Sequence, residues 1–187
     1  MKTRLLIFLA FVAIAHAADS DFEIFIKDTP GTMIETGWDD CEARELWLLN
    51  KKTHSSELLV KDRSDRDLSK TIAGIRSPVF SPDRKSIYFC SAAWATSGSI
   101  QNVDIASKKV RFVIDGGSVE VIEQGLYAGQ LLVIRYLIED HGRDSYLWLV
   151  SSEGTPIIQI GQIDSFAVSE FLKLFLPGRI KSAVPQL

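Results

Sequence analysis

Only two of the 187 residues are cysteine and three are histidine. Two cysteines cannot build the multi-disulfide framework of small secreted scaffolds, and so few histidines leave little material for a zinc site. No Gly-x-Ser-x-Gly elbow, Gly-Lys-Ser/Thr phosphate loop or His-Glu-x-x-His pair occurs in the chain. The signatures of serine hydrolysis, P-loop phosphoryl transfer and zinc peptidases are therefore missing. No cofactor and no metal ion are expected. Positive charge is not in excess either: 21 Lys and Arg stand against 24 Asp and Glu, a net charge of −3. Without a basic field, nucleic acid is not an expected partner. No apolar run approaches the roughly 20 residues that cross a bilayer, so no membrane span is expected.

What is present begins at the N-terminus. Residues 1–17 place Lys2 and Arg4 ahead of an apolar run from Leu5 to Ile14, followed by Ala15-His16-Ala17. This order predicts a secretory signal peptide cleaved after Ala17. Its removal leaves 170 residues and lowers the charge from −3 to −5, because Lys2 and Arg4 leave with it. The chain has no Asn-x-Ser/Thr acceptor, and export to a bacterial periplasm is the simplest expectation. In that oxidising compartment Cys41 and Cys90 are expected to form a disulfide, closing a loop of about 50 residues that contributes roughly 4 kcal/mol. Two buried thiols are the alternative, since cysteine packs well as a small apolar residue.

Beyond Ala17 the apolar residues alternate or run in short blocks broken by Gly, Pro, Asp, Asn and Ser, the pattern of β-strands. The gaps are too short for crossover helices, so the pairing is expected to be antiparallel. One kind of hairpin recurs. Glu45-Leu-Trp-Leu-Leu-Asn50 leads into Ser56–Val60, Gln101–Ala106 into Val110–Ile114, and Tyr146-Leu-Trp-Leu-Val-Ser151 into Pro156–Ile160. The intervals are 56 and then 45 residues, near the period of four-stranded propeller blades. The expected fold is all-β: antiparallel four-stranded blades, about three with the first incomplete, in a propeller-like or open-propeller arrangement. The expected segments are the signal peptide at 1–17, the blade repeats at 18–163 and a tail at 164–187. The tail forms a short helix or an edge strand; the helix is favoured, with Phe166, Phe171, Leu174 and Phe175 on one face covering a sheet edge.

The stretch Arg76-Ser-Pro-Val-Phe-Ser-Pro-Asp-Arg-Lys-Ser-Ile-Tyr-Phe89 resembles the blade signature of TolB-like propellers, relatives of WD repeats. In that family a Phe-Ser-Pro-Asp-Gly turn joins the innermost strand to a second strand ending in an aromatic. Pro82 presets the turn and Asp83 can accept backbone amides two residues on. Arg84 stands where the family prefers glycine. The larger peptidases that carry such propellers keep catalysis in a separate α/β-hydrolase domain, so the resemblance implies no catalytic residue here.

The remaining candidates are recognition residues. Glu139-Asp-His-Gly-Arg-Asp144 and Trp38-Asp-Asp-Cys-Glu42 lie at equivalent hairpins of two units and, in radial blades, share one rim. Glu139, Asp140, His141, Arg143, Asp144, Asp39 and Asp40 are thus expected partner contacts, alongside Trp38 and Trp94 at strand ends. Trp47 and Trp148 occupy equivalent repeat positions, which points to core packing. The run Lys61–Lys70 is expected to be a solvated connector between repeats. The expected function is that of a periplasmic non-enzymatic protein-binding module, in one form an immunity-type inhibitor that neutralises a basic toxin or enzyme. Two rivals stay open: an envelope-assembly partner working by edge-strand pairing, and a hydrolase using His141 with Asp140 or Asp144.

Overall fold

The computed structural model describes residues 21–36, 40–67, 70–92, 98–140 and 142–175. The expected signal peptide and the end of the tail lie outside them. Three antiparallel sheets follow one another along the chain. The first contains β1 (Phe22–Glu35), β2 (Asp40–Asn50) and β3 (Ser55–Lys61); the second, β4 (Ala73–Phe80), β5 (Ser86–Ala92), β6 (Gly98–Asp104) and β7 (Val110–Asp115). The third contains β8 (Ser118–Val121), β9 (Leu131–Glu139), β10 (Gly142–Val150) and β11 (Pro156–Gln162), and α1 (Phe166–Phe175) follows it. These are blades 1, 2 and 3 of an open propeller-type stack. The strand candidates at 22–27 and 32–38 merge into β1, because Thr29–Met33 forms a bulge rather than a turn.

Blade 2 is buried on both faces, and the alternation of β5 shows how. Ile87 and Phe89 pack towards blade 1 with Leu46, Leu48, Leu59 and Ile75, whereas Tyr88 and Cys90 pack towards blade 3 with Val119, Val121, Leu131 and Val133. Successive side chains point to opposite faces of a strand, so one strand serves two interfaces. Burying side chains of the size of Ile87 or Phe89 stabilises by about 1.5–3 kcal/mol each.

That alternation also explains a correction. Cys41 and Cys90 are not joined by a disulfide. Cys90 lies between blades 2 and 3, while Cys41 packs with Ile34, Ala43 and Ala73 between blades 1 and 2. The middle sheet separates the two thiols, and a disulfide needs their β-carbons within about 4.5 Å. Burial pushes the Cys90 thiol up to about 11.

The Ser81–Arg84 turn between β4 and β5 closes without a glycine, the Arg84 amide donating to the Ser81 carbonyl at 2.9 Å. Arg84 itself takes the left-handed backbone conformation, φ 57°, one that favours glycine. Its guanidinium stacks 3.8 Å from the Phe80 ring and donates to the Phe22 carbonyl at 3.3 Å. Asp83 accepts Ser81 Oγ at 2.7 Å and the Lys85 amide at 3.1 Å.

The handover between blades repeats. Asp62 N–H donates to the Arg44 carbonyl at 2.9 Å, extending β3 along β2 by one bond; Gly116 N–H donates to the Gly98 carbonyl at 2.9 Å, extending β7 along β6. The chain then crosses to β4 in the first case and β8 in the second. So β3 corresponds to β7, β2 to β6, and β1 to β5. No strand corresponding to β4 and β8 precedes β1 among the described residues. Blade 1 has no opening strand among the described residues.

The tail forms the favoured helix. Val168, Phe171 and Leu172 pack against Ile122, Leu132, Leu147 and Leu149, and α1 lies against the edge strand β11, so the helix covers the outer face of blade 3 at its edge.

Candidate binding surface

The hairpins β1–β2, β5–β6 and β9–β10 occupy the same place in the strand order of successive blades. Asp40 opens β2 directly opposite Glu35 of β1, two exposed like charges that oppose each other across the ladder. Asp140 is exposed in the β9–β10 turn, and Glu139 pairs through its backbone with Gly142. Arg143 and Asp144 have partners within blade 3: the guanidinium lies 3.8 Å over the Tyr136 ring, and the carboxylate accepts Gln162 Nε2 at 3.2 Å. Trp38, Asp39, Trp94 and His141 lie outside the described residues. Among the described residues no three of His, Cys, Asp and Glu are grouped to hold a metal ion.

Trp47 and Trp148 hold equivalent positions yet have different surroundings. Trp148 packs against the cluster between blades 2 and 3, with the Arg135 guanidinium 5.1 Å from its ring. Arg135 also pairs with Asp115 of blade 2 at 2.8 Å. Trp47 points the same way from blade 1, where no preceding blade exists among the described residues. Its ring stacks on Phe25 with centroids 6.4 Å apart, its Nε1 donates to Glu45 at 3.0 Å, and the Lys27 ammonium stands 5.7 Å from it. Leu58 pairs across the ladder with Trp47. Core packing, expected of both tryptophans, holds for Trp148 alone. Phe25, Trp47 and Leu58, all half-buried, form an aromatic-centred face bordered by Lys27 and Glu45.

The connector read as solvated carries one buried group. Asp62 is 3% exposed; its Oδ2 accepts the Arg44 amide at 3.0 Å and the Gly74 amide at 2.7 Å. Oδ1 is buried without a partner. Burial pushes its carboxyl up to about 6 against the lowering effect of those amides. Its neighbours Arg63, Ser64, Asp65, Arg66 and Asp67 are exposed, as expected.

No protein-family model and no curated protein matches the chain. Among solved structures, an acylaminoacyl peptidase bound to a chloromethyl ketone aligns with TM-score 0.51 and 14% identity over 78% of this chain and 24% of the peptidase. The β-propeller domain of the trilobed protease from Pyrococcus furiosus, described as having an open velcro topology, aligns with TM-score 0.49 and 13% identity over 76% of this chain and 40% of that one. TolB from Acinetobacter baumannii aligns with TM-score 0.37 and 15% identity over 70% of this chain and 31% of that one. The chain thus spans well under half the length of each. The propeller-type fold is what the blades themselves display.

Proposed function

We propose that this protein is an exported, non-enzymatic protein-binding module that engages its partner through blade 1. The observation that carries the reading is the asymmetry of the stack. Blade 3 has its outer face covered by α1, whereas blade 1 presents Phe25, Trp47 and Leu58 with no sheet or helix described against them. Clustered aromatic groups with a polar border are the usual anchors of protein recognition. The finer form of the proposal is an immunity-type inhibitor: the mature charge of −5 favours encounter with a basic toxin or enzyme in the periplasm.

The test is cross-linking in intact cells with an affinity-tagged chain. One stoichiometric envelope or toxin partner is expected, with recovery falling about tenfold for Trp47→Ala, a loss of about 1.4 kcal/mol. Absence of any specific partner at native abundance would sink the reading. His141→Ala and Asp144→Ala are expected to leave biological activity intact; loss of activity with partner recovery preserved would favour the hydrolase reading instead.

A further inference from the structure

We infer that the open edge of β1 accepts one extended strand of the partner protein, which completes blade 1 as its opening strand. This rests on the protein-binding reading and names the surface it uses. The blade handovers described above make β1 the counterpart of β5 and β9, each of which pairs on both sides. Among the described residues β1 pairs with β2 alone. Antiparallel pairing uses the backbone groups of alternate residues, so those of the remaining residues in the segment Ile24–Asp28 face the open side. Such an edge is a template for another strand. The bulge at Thr29–Met33, with Pro30 inside it, interrupts the strand, so its longest regular stretch is the segment before it.

The chain itself shows what fits. β8 is the opening strand of blade 3, Ser118-Val-Glu-Val121, and pairs antiparallel with β9 through Ile134, Val133, Leu132 and Leu131. Val119 and Val121 enter the core against blade 2; Glu120, between them, points to the other face. The same alternation beside β1 brings β-branched side chains to the face that holds Phe25 and Trp47, the counterparts of Val133 and Trp148. It brings the intervening polar or acidic side chain to the face of Ile24 and Ile26, as Glu120 stands beside Leu132. The occupant is therefore a short partner segment in which β-branched residues alternate with polar or acidic ones.

The experiment uses the full chain and, as probe, a synthetic peptide of its own residues 116–123, Gly-Gly-Ser-Val-Glu-Val-Ile-Glu. At about 1 mM peptide, the open-side amides among residues 24–28 are expected to exchange about tenfold more slowly, while a Val119→Pro peptide gives no protection. No protection by the unsubstituted peptide overturns the inference. Protection already present in the isolated chain would also overturn it: if it rises with protein concentration the occupant is a second copy, and if it vanishes on deletion of residues 176–187 the occupant is the chain's own tail. The cross-linking experiment separates the two levels. A recovered partner with no peptide protection defeats the strand site alone, and peptide protection with no recovered partner defeats the binding reading.

Discussion

One oxygen of Asp62 accepts the amide of Gly74 at 2.7 Å, and through it the crossing segment of blade 1 is tied to the first strand of blade 2. The same oxygen holds the Arg44 amide, so a single carboxylate spans two blades.

Asp62 makes stability depend on pH. Its carboxyl ionises near 3.8 in an ordinary setting and near 6 in the fold. The folded chain holds the proton longer than the unfolded chain, so this contribution is present below about pH 3.8 and lost as pH rises towards 6. Urea midpoints of wild type and Asp62→Asn between pH 4 and 7 are expected to differ in slope, with the wild type losing stability relative to the variant as pH rises. Parallel curves would show that Asp62 is not buried as described.

The thiols should behave independently. Adding a reductant is expected to leave the melting temperature unchanged, since no Cys41–Cys90 bond exists to break. Cys90, fully buried and with its thiol raised to about 11, should resist thiol reagents until the chain unfolds. A clear fall in melting temperature on reduction would restore the disulfide.

Gly154 seats the β10–β11 turn on blade 2. Its φ is +94°, and a β-carbon there would collide with the carbonyl of Val113 on β7. The neighbouring Ser152 carbonyl accepts Arg111 of β7 at 2.8 Å. Gly154→Ala is expected to destabilise by about 2 kcal/mol, read as a lower urea midpoint; an unchanged midpoint would mean that the turn is not seated on β7.

Val168, 2% exposed in α1, tests the helix cap. Val168→Asp places an unpaired carboxylate among Ile122, Leu147 and Leu149, and a loss of about 3 kcal/mol is expected. Calorimetry showing no loss would mean that α1 does not cover the blade.

Much of the fold was legible because it is local. The repeated hairpins gave strands β2–β3, β6–β7 and β10–β11, and the Ser81-Pro82-Asp83 turn marked the link between β4 and β5. What escaped was relational. Whether Cys41 and Cys90 meet depends on which face of β5 each reaches, and Asp62 looked like one more charge in a charged run until its amide partners on separate sheets were known. The helix was expected from Phe166, Phe171, Leu174 and Phe175, but its seat on a blade face depends on how β9 and β10 present their apolar residues. Thr29-Pro30-Gly31 read as a break between strands, and only the pairing with Ala43 and Glu42 shows one continuous strand with a bulge.

The position of α1 fixes a direction. Among the described residues the outer face of blade 3 is already occupied by Val168, Phe171 and Leu172, whereas no element lies against the Trp47 face of blade 1, so the two ends of the stack are not interchangeable.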